Sequence, residues 1–133
     1  MDLEFLNNML EVLTKQNNKL MELNLKDKVI LVTGGSKGIG NAISHILANE
    51  GAIPFIISRN KKSILETVEE IKKQGGKCSY AVAELTDPEQ CRASVKEVIT
   101  QFGTLHGLVN NAGVNDSIGL ENGDDDDFIL SLK

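Results

Sequence analysis

Cysteine, positive charge and long apolar runs are scarce in this 133-residue chain, and each scarcity argues against a class of protein. Cys78 and Cys91 are the only two cysteines and form no Cys-x-x-Cys pair, which argues against a disulfide framework or a thiolate metal site. No apolar stretch reaches the length of a membrane-spanning helix. The net charge of −5 provides no basic footprint for nucleic acid. We therefore expect a cytoplasmic protein with reduced thiols and without membrane or nucleic-acid partners.

What remains is the composition of an ordinary globular domain, preceded by a distinct N-terminal segment. Hydrophobic residues make up 41% of the chain and charged residues 25%, which is typical of a globular fold. In residues 1–24, Leu3, Leu6 and Leu13 recur at helical spacing and predict an amphipathic helix. The segment has no basic start, which argues against a secretory signal. It is either a partner-binding helix or a neutral extension, and we place the domain proper at residues 25–133.

The most informative stretch runs from Lys28 to Gly40. The unbroken apolar run 29–32 is typical of a strand that is buried on both faces. Glycines then crowd a turn, and the apolar residues that follow, Ile39, Ile43, Ile46 and Leu47, fall at helical spacing and predict a helix. The first N–H groups of a helix have no internal partner, and glycines let a ligand approach the backbone. This segment therefore predicts an anion-binding turn.

Strands and helices alternate along the following residues. Strands are predicted at 52–58, 78–83 and 105–109, with helices at 61–74 and from Asp87, whose side chain would cap the helix before Pro88. The helix faces expected to be buried comprise Ile64, Leu65, Val68 and Ile71, then Val95, Val98, Ile99 and Phe102. The order βαβαβαβ predicts an α/β fold with a parallel sheet and helices on both faces. The fourth strand is expected to leave an open sheet edge.

Two motifs together point to a family. The segments Thr33-Gly34-x-x-x-Gly38-Ile39-Gly40 and Asn110-Asn111-Ala112-Gly113 resemble those of the short-chain dehydrogenases/reductases. The resemblance extends from about Met21 to the end of the chain and covers roughly the N-terminal half of a family member. It implies a Rossmann-type fold, of which this chain would hold the N-terminal four-strand portion. It also implies an NAD(P)-dependent oxidoreductase, usually a homo-oligomer.

By this resemblance, a nicotinamide dinucleotide would lie past the C-terminal ends of the strands. The glycine turn would meet the pyrophosphate, Glu84 the adenine edge, and the Asn-Asn-Ala-Gly segment the ribose. At the end of the second strand, Ser58 replaces the acid that usually marks NAD. Arg59 and Lys37, with no carboxylate beside them, favour the 2′-phosphate of NADP, unless both are merely solvated surface charges. The predicted cofactor-binding residues are Gly34, Ser36, Lys37, Gly38, Ile39, Gly40, Ser58, Arg59, Glu84, Leu85, Asn111, Ala112 and Gly113.

No catalytic or metal-binding residue is assigned. Family chemistry uses an Asn, a Ser and a Tyr-x-x-x-Lys pair, in which the ammonium lowers the pKa of the tyrosine. The only tyrosine, Tyr80, is predicted on a strand and is followed four residues later by Glu84. We therefore expect the 133 residues to be a truncated, non-catalytic portion of an oxidoreductase, or else a nucleotide-binding or interaction fragment. The acidic run 124–127 is interpreted as the start of a helix, and His45 and His106 as surface or hydrogen-bonded histidines.

One longer stretch suggests a substrate. Residues 105–120, together with 84–92 and 52–54, resemble the sugar-oxidising subgroup that includes L-fucose dehydrogenases. Asn115 and Asp116 would hydrogen-bond sugar hydroxyls, or they form an Asx turn. The implied reaction is hydride transfer from the anomeric carbon of an aldose to NAD(P), giving a lactone. The alternative is a carbonyl reductase of the same family, for example a 3-oxoacyl reductase.

Overall fold

The computed structural model describes residues 2–17, 22–113, 123–126 and 129. Within them, four parallel strands form one sheet in the order β3-β2-β1-β4, which confirms the predicted α/β fold. The elements in chain order are α1 (Leu3–Asn17), β1 (Val29–Thr33), α2 (Gly38–Asn49), β2 (Ile53–Ser58), α3 (Lys61–Lys73), β3 (Ser79–Val82), α4 (Pro88–Phe102) and β4 (Gly107–Val109).

The central strands β1 and β2 are apolar on both faces because helices cover both faces. Their alternate residues face opposite sides of the sheet. On one side, a core cluster of buried β1 and β2 residues includes Val98 of α4, with Phe102 packed against it. On the other side, Ile56 of β2 packs with Ile64, Val68 and Ile71 of α3, while α2 covers the β1 residues. This two-sided burial is the reason for the continuous apolar runs in β1 and β2.

The helices contact the sheet along narrower lines than their apolar residues suggest, so part of the predicted inward faces is wrong. The buried residues of α2 are Gly40, Ser44 and Ala48, at intervals of four. These small residues let the helix approach closely, and bulkier neighbours lie beside the contact line. The residues predicted to be inward but found exposed are Leu65 (42%) of α3 and Val95 (44%) and Ile99 (45%) of α4. In α2, the apolar residues Ile39 and Ile46 are also exposed, at 75% and 60%.

The start of α4 follows the predicted chemistry. Asp87 is the N-cap, and its Oδ1 accepts the N–H of Glu89 at 2.9 Å, with Pro88 as the first helical residue. Gly103 ends the helix with φ 73°, a left-handed conformation that favours glycine. These local signals place α4 correctly, although the line of residues it buries is narrower than predicted.

Helix α1 and the edge strand β4 both leave apolar surface exposed. Helix α1 forms as predicted, and the Oδ1 of Asp2 accepts the N–H of Glu4 at 2.7 Å. Its apolar residues from Leu3 to Leu13 are exposed. Strand β4 pairs with β1 through three residues and lies at the edge of the described sheet, as expected. No helix among the described residues is long and apolar enough to cross a membrane.

Candidate functional site

The C-terminal ends of all four strands lie at one edge of the sheet. Because the strands are parallel, the residues that follow each strand share this edge. Backbone hydrogen bonds join neighbouring ends: the Gly34 N–H donates to the Ile57 carbonyl at 2.8 Å, and the Ala83 N–H donates to the Ser58 carbonyl at 3.1 Å. The structure therefore brings together the four segments that the sequence proposed for a dinucleotide site.

Two glycines, Gly34 in the turn after β1 and Gly40 in the first turn of α2, are required by close backbone approach. Gly34 has φ +65°, and a Cβ there would lie 3.1 Å from the Ala112 Cα. A Cβ on Gly40 would lie 2.2 Å from the Gly34 carbonyl oxygen and 2.4 Å from Asn111 Nδ2. The first turn of α2 is thus pressed against the end of β1 and the segment after β4. Gly38 also has a left-handed φ of +52°, but no atom lies near its missing Cβ.

Thr33 links the glycine turn to the segment after β4. Its hydroxyl donates to the Val109 carbonyl at 3.2 Å and accepts the N–H groups of Asn111 and Ala112, both at 3.0 Å. The Asn111 side-chain amide donates in return to the carbonyls of Thr33 at 3.1 Å and Gly34 at 3.3 Å. Sequence reasoning did not assign Thr33 to the site. Its position directly before the first glycine was the available signal.

The N-terminus of α2 fits an anionic ligand. Lys37 is the N-cap residue in extended conformation, and its side chain makes no capping hydrogen bond. The first-turn N–H groups have no side-chain partner at the cap, and the positive end of the helix dipole lies there. Ile39 projects from this turn with 75% exposure. An exposed isoleucine beside uncapped N–H groups is a surface that a partly apolar, phosphate-bearing ligand would cover.

Hydrogen bonds from side chains of α2 and α3 hold the glycine turn in place. Ser36 is buried, and its carbonyl lies 3.5 Å from the Thr67 hydroxyl of α3. The same hydroxyl lies 3.2 Å from Asn41 Oδ1. Ser44 donates to the carbonyls of Gly35 at 3.1 Å and Gly40 at 2.9 Å. These contacts fix the turn's path, and the sequence held no signal for the part played by Thr67.

The ends of β2 and β3 contain one contact that corrects the sequence interpretation. Arg59 follows Ser58 as expected, but its Nη1 lies 3.4 Å from Glu84 Oε2. The expectation of cations without a neighbouring carboxylate is therefore wrong for Arg59. The Thr86 N–H bonds to Glu84 Oε1 at 3.2 Å. This bond first, and the Arg59 charge after it, holds the pKa of Glu84 below its usual range. Lys37 lies exposed in the glycine turn.

The remaining predicted site residues make fewer contacts with the glycine turn or lie outside the described residues. Leu85 packs partly against the core cluster of β1, β2 and α4. Ala112 and Gly113 are exposed, and nothing lies within 4 Å of a Cβ on Gly113. Asn115, Asp116 and Asp127 lie outside the described residues. Among the described ones, no group of three or more His, Cys, Asp or Glu side chains could hold a metal ion.

Both histidines and the tyrosine have structural partners, as predicted. His106 Nδ1 accepts the Val29 N–H at 3.0 Å, and the His106 N–H donates to the Val29 carbonyl at 2.9 Å. His45 contacts Glu70 at 3.3 Å. Tyr80 lies on β3 and packs against the α3 core cluster. These contacts explain the positions of all three side chains by structural roles, without a role in binding or catalysis.

Comparison with known proteins agrees with this geometry. A family profile described as short chain dehydrogenase matches residues 28–132. The 7alpha-hydroxysteroid dehydrogenase of Clostridium sardiniense is 36% identical over 112 residues, 82% of this chain and 43% of that protein. A 3-oxoacyl-(acyl-carrier-protein) reductase of Staphylococcus aureus is 43% identical over 90 residues, 65% of this chain and 36% of that protein.

A solved structure of a related oxidoreductase has a similar fold. L-Sorbose reductase from Gluconobacter frateurii, complexed with NADPH and L-sorbose, superposes with a TM-score of 0.72 at 31% identity, over 80% of this chain and 41% of that one. The chain spans less than half the length of the relatives described above. Because the family profile covers most of the chain, the chain belongs to the short-chain dehydrogenase/reductase family of oxidoreductases.

Proposed function

We propose that residues 25–133 form the NAD(P)-binding portion of an oxidoreductase that acts on a small polar substrate, in our first hypothesis a sugar such as L-fucose. The observation that carries the proposal is the approach of Gly40 to the Gly34 carbonyl and to Asn111, beside an uncapped helix N-terminus. A Cβ does not fit there without movement of the backbone, whereas nothing lies within 4 Å of a Cβ placed on Gly38, so a phosphate could approach the turn at Gly38. When bound, the cofactor supplies the hydride acceptor or donor.

Each strand end has a task in this proposal. The N–H groups of the turn from Gly34 to Gly40 receive the pyrophosphate, and Ile39 covers it. Ser58, Arg59 and Lys37 receive the adenine ribose with its 2′-phosphate, so NADP is favoured over NAD. Glu84 and Leu85 border the adenine, while Asn111, Ala112 and Gly113 border the ribose next to the nicotinamide. The relative complexed with NADPH supports a phosphorylated cofactor.

Direct titration tests the cofactor proposal. The chain is titrated calorimetrically with NADP and NAD, and then as the variants Arg59→Gln and Lys37→Gln. A lost charge-assisted contact predicts roughly tenfold weaker NADP binding in Arg59→Gln, with NAD binding little changed. Lys62→Gln removes the same charge from the exposed face of α3 and serves as the control. Absence of binding by the unaltered, folded chain would overturn the proposal.

The substrate hypothesis has two candidates, each with a supporting relative. Likeness to the enzyme complexed with L-sorbose supports a sugar, and the Staphylococcus aureus relative supports a 3-oxoacyl substrate. The protein that contains this chain together with a family Tyr-x-x-x-Lys segment is assayed against an aldose panel with NADP and a 3-oxoacyl thioester panel with NADPH. Turnover of L-fucose supports the first candidate, and turnover of the thioesters alone replaces it with the second.

We further propose that catalysis uses side chains outside residues 1–133. Tyr80 is partly buried against the α3 core cluster, and no lysine follows it at the family spacing. The 133 residues alone would then bind cofactor without turnover, a cytoplasmic nucleotide-binding unit that assembles as a homo-oligomer only in the larger enzyme. Residues 1–24 act as an extension outside this unit. Substrate-dependent NADPH formation by the 133-residue chain would contradict this assignment.

A further inference from the structure

Arg59 and Glu84 lie at neighbouring strand ends and contact each other, although each was assigned to a different part of the cofactor. Arg59 Nη1 is 3.4 Å from Glu84 Oε2, and the side chains are 69% and 37% exposed. The other carboxylate oxygen of Glu84 accepts the Thr86 N–H, and the Glu84 N–H donates to Gln90 Oε1 at 2.8 Å. Glu84 is therefore anchored to the start of α4, while Arg59 is the more exposed partner.

We propose that Glu84 sets the cofactor preference by holding Arg59, so that Glu84 lowers the selectivity for NADP over NAD. The inference rests on the proposed NAD(P) function. A 2′-phosphate carries roughly two negative charges at neutral pH. To bind Arg59 it must compete with the Glu84 carboxylate, which also repels it. NAD carries no such phosphate, so its binding leaves the ion pair intact.

Because Glu84 is anchored, Arg59 is the partner that must move when a 2′-phosphate binds. The backbone bond from Thr86 favours the ionised carboxylate, so Glu84 is charged at neutral pH. Arg59 follows the last residue of β2 and can turn toward solvent, whereas Glu84 is tied at both its backbone and one oxygen. Binding of a 2′-phosphate therefore costs the Arg59–Glu84 contact, and removal of the Glu84 charge removes that cost.

The test is the variant Glu84→Gln, which keeps an oxygen for the Thr86 N–H but loses the charge. Binding of NADP, NAD, 2′,5′-ADP and 5′-ADP is measured by titration calorimetry on the full chain. Since exposed ion pairs are weak, we expect NADP and 2′,5′-ADP to bind roughly two- to fivefold more tightly. Because Glu84 also borders the adenine, which all four ligands share, the readout is the affinity of each ligand with a 2′-phosphate relative to its counterpart without one. Glu89→Gln, which breaks the exposed contact with Arg92, controls for net charge.

A second variant tests the route through Arg59. In the Arg59→Gln background, Glu84→Gln should produce a smaller gain for 2′,5′-ADP than in the unaltered chain. Equal gains in both backgrounds, equal tightening of NAD and NADP, or no change in their ratio would each overturn the inference while the NAD(P) function stands. If the folded, unaltered chain binds none of the four ligands, the proposed function falls, and this inference falls with it.

Discussion

Substitution of Gly40 by alanine tests the close approach on which the proposed site depends. The added Cβ would lie 2.2 Å from the Gly34 carbonyl oxygen and 2.8 Å from its carbon. To reach 3.0 Å from that oxygen, the helix or the turn must move by about 0.8 Å. The obstacle is backbone held by the Asn111 amide, so it cannot rotate away as a side chain would.

The magnitude follows from two opposing effects. Overpacking typically costs about 1–3 kcal/mol, and we expect the upper end because backbone must move. Alanine is favoured over glycine within a helix by about 1 kcal/mol, which offsets part of this cost. The net loss of about 2 kcal/mol corresponds to a fall in Tm of roughly 7–9 °C for a domain of this size, because the entropy of unfolding is about 2.1 cal/mol/K per residue.

Thermal unfolding followed by circular dichroism measures this effect, with NADP titration as the second readout. Gly113→Ala is the control for stability, because nothing lies within 4 Å of its added Cβ. We expect an unchanged Tm for Gly113→Ala, and for Gly40→Ala a lower Tm together with weaker NADP binding. If Gly40→Ala unfolds at the same temperature as the unaltered chain or above it, the close approach is not real, and the argument for the site fails.

The remaining predictions concern three polar contacts. His106→Ala leaves the Val29 N–H without its acceptor at 3.0 Å and should lower the free energy of unfolding in urea by about 1–2 kcal/mol, whereas His106→Asn, which retains an acceptor, should lose less. Thr33→Val removes the hydroxyl that binds the segment after β4 and should cost about 2 kcal/mol in the same assay, with Thr33→Ser close to the unaltered chain. Hydrogen bonds from Gln90 and then Glu89 lower the pKa of Asp87 in the folded chain. The ionised Asp87 therefore stabilises the fold above the ordinary aspartate pKa, and this stabilisation is lost as pH falls through the pKa of the folded chain. Asp87→Asn should flatten the Tm–pH curve below about pH 4, and an unchanged curve would contradict this prediction.

Much of the fold was predictable because its signals are local. Buried strands between two helical layers must be apolar throughout, which placed β1 and β2 to within a residue. Asp87 and Pro88 marked the start of α4 because capping chemistry depends only on neighbours along the chain. The residues that α2 and α4 bury were less predictable. Periodicity identifies an apolar side of a helix but not how closely the helix approaches the sheet, and in α2 small residues decide that.

The site was predictable as a set of segments but not as a set of contacts. The glycine spacing and the Asn-Asn-Ala-Gly segment indicated which loops would meet. The pairing of Arg59 with Glu84 depends on the register of β2 against β3, where Ser58 lies opposite Val82. A single sequence does not encode that register in any local pattern. The ion pair, which changes the argument for NADP, therefore became visible only in the structure.

The contacts of Thr33 explain why the two family motifs occur together. Its hydroxyl binds residues more than seventy positions further along the chain, and Asn111 binds back to the carbonyls of Thr33 and Gly34. The Gly34 carbonyl in turn lies where a Cβ on Gly40 would have to be. The turn's position therefore depends on β4 being paired beside β1. Neither motif alone fixes the path of the glycine turn, because the turn is held in place partly by the asparagine that the second motif supplies.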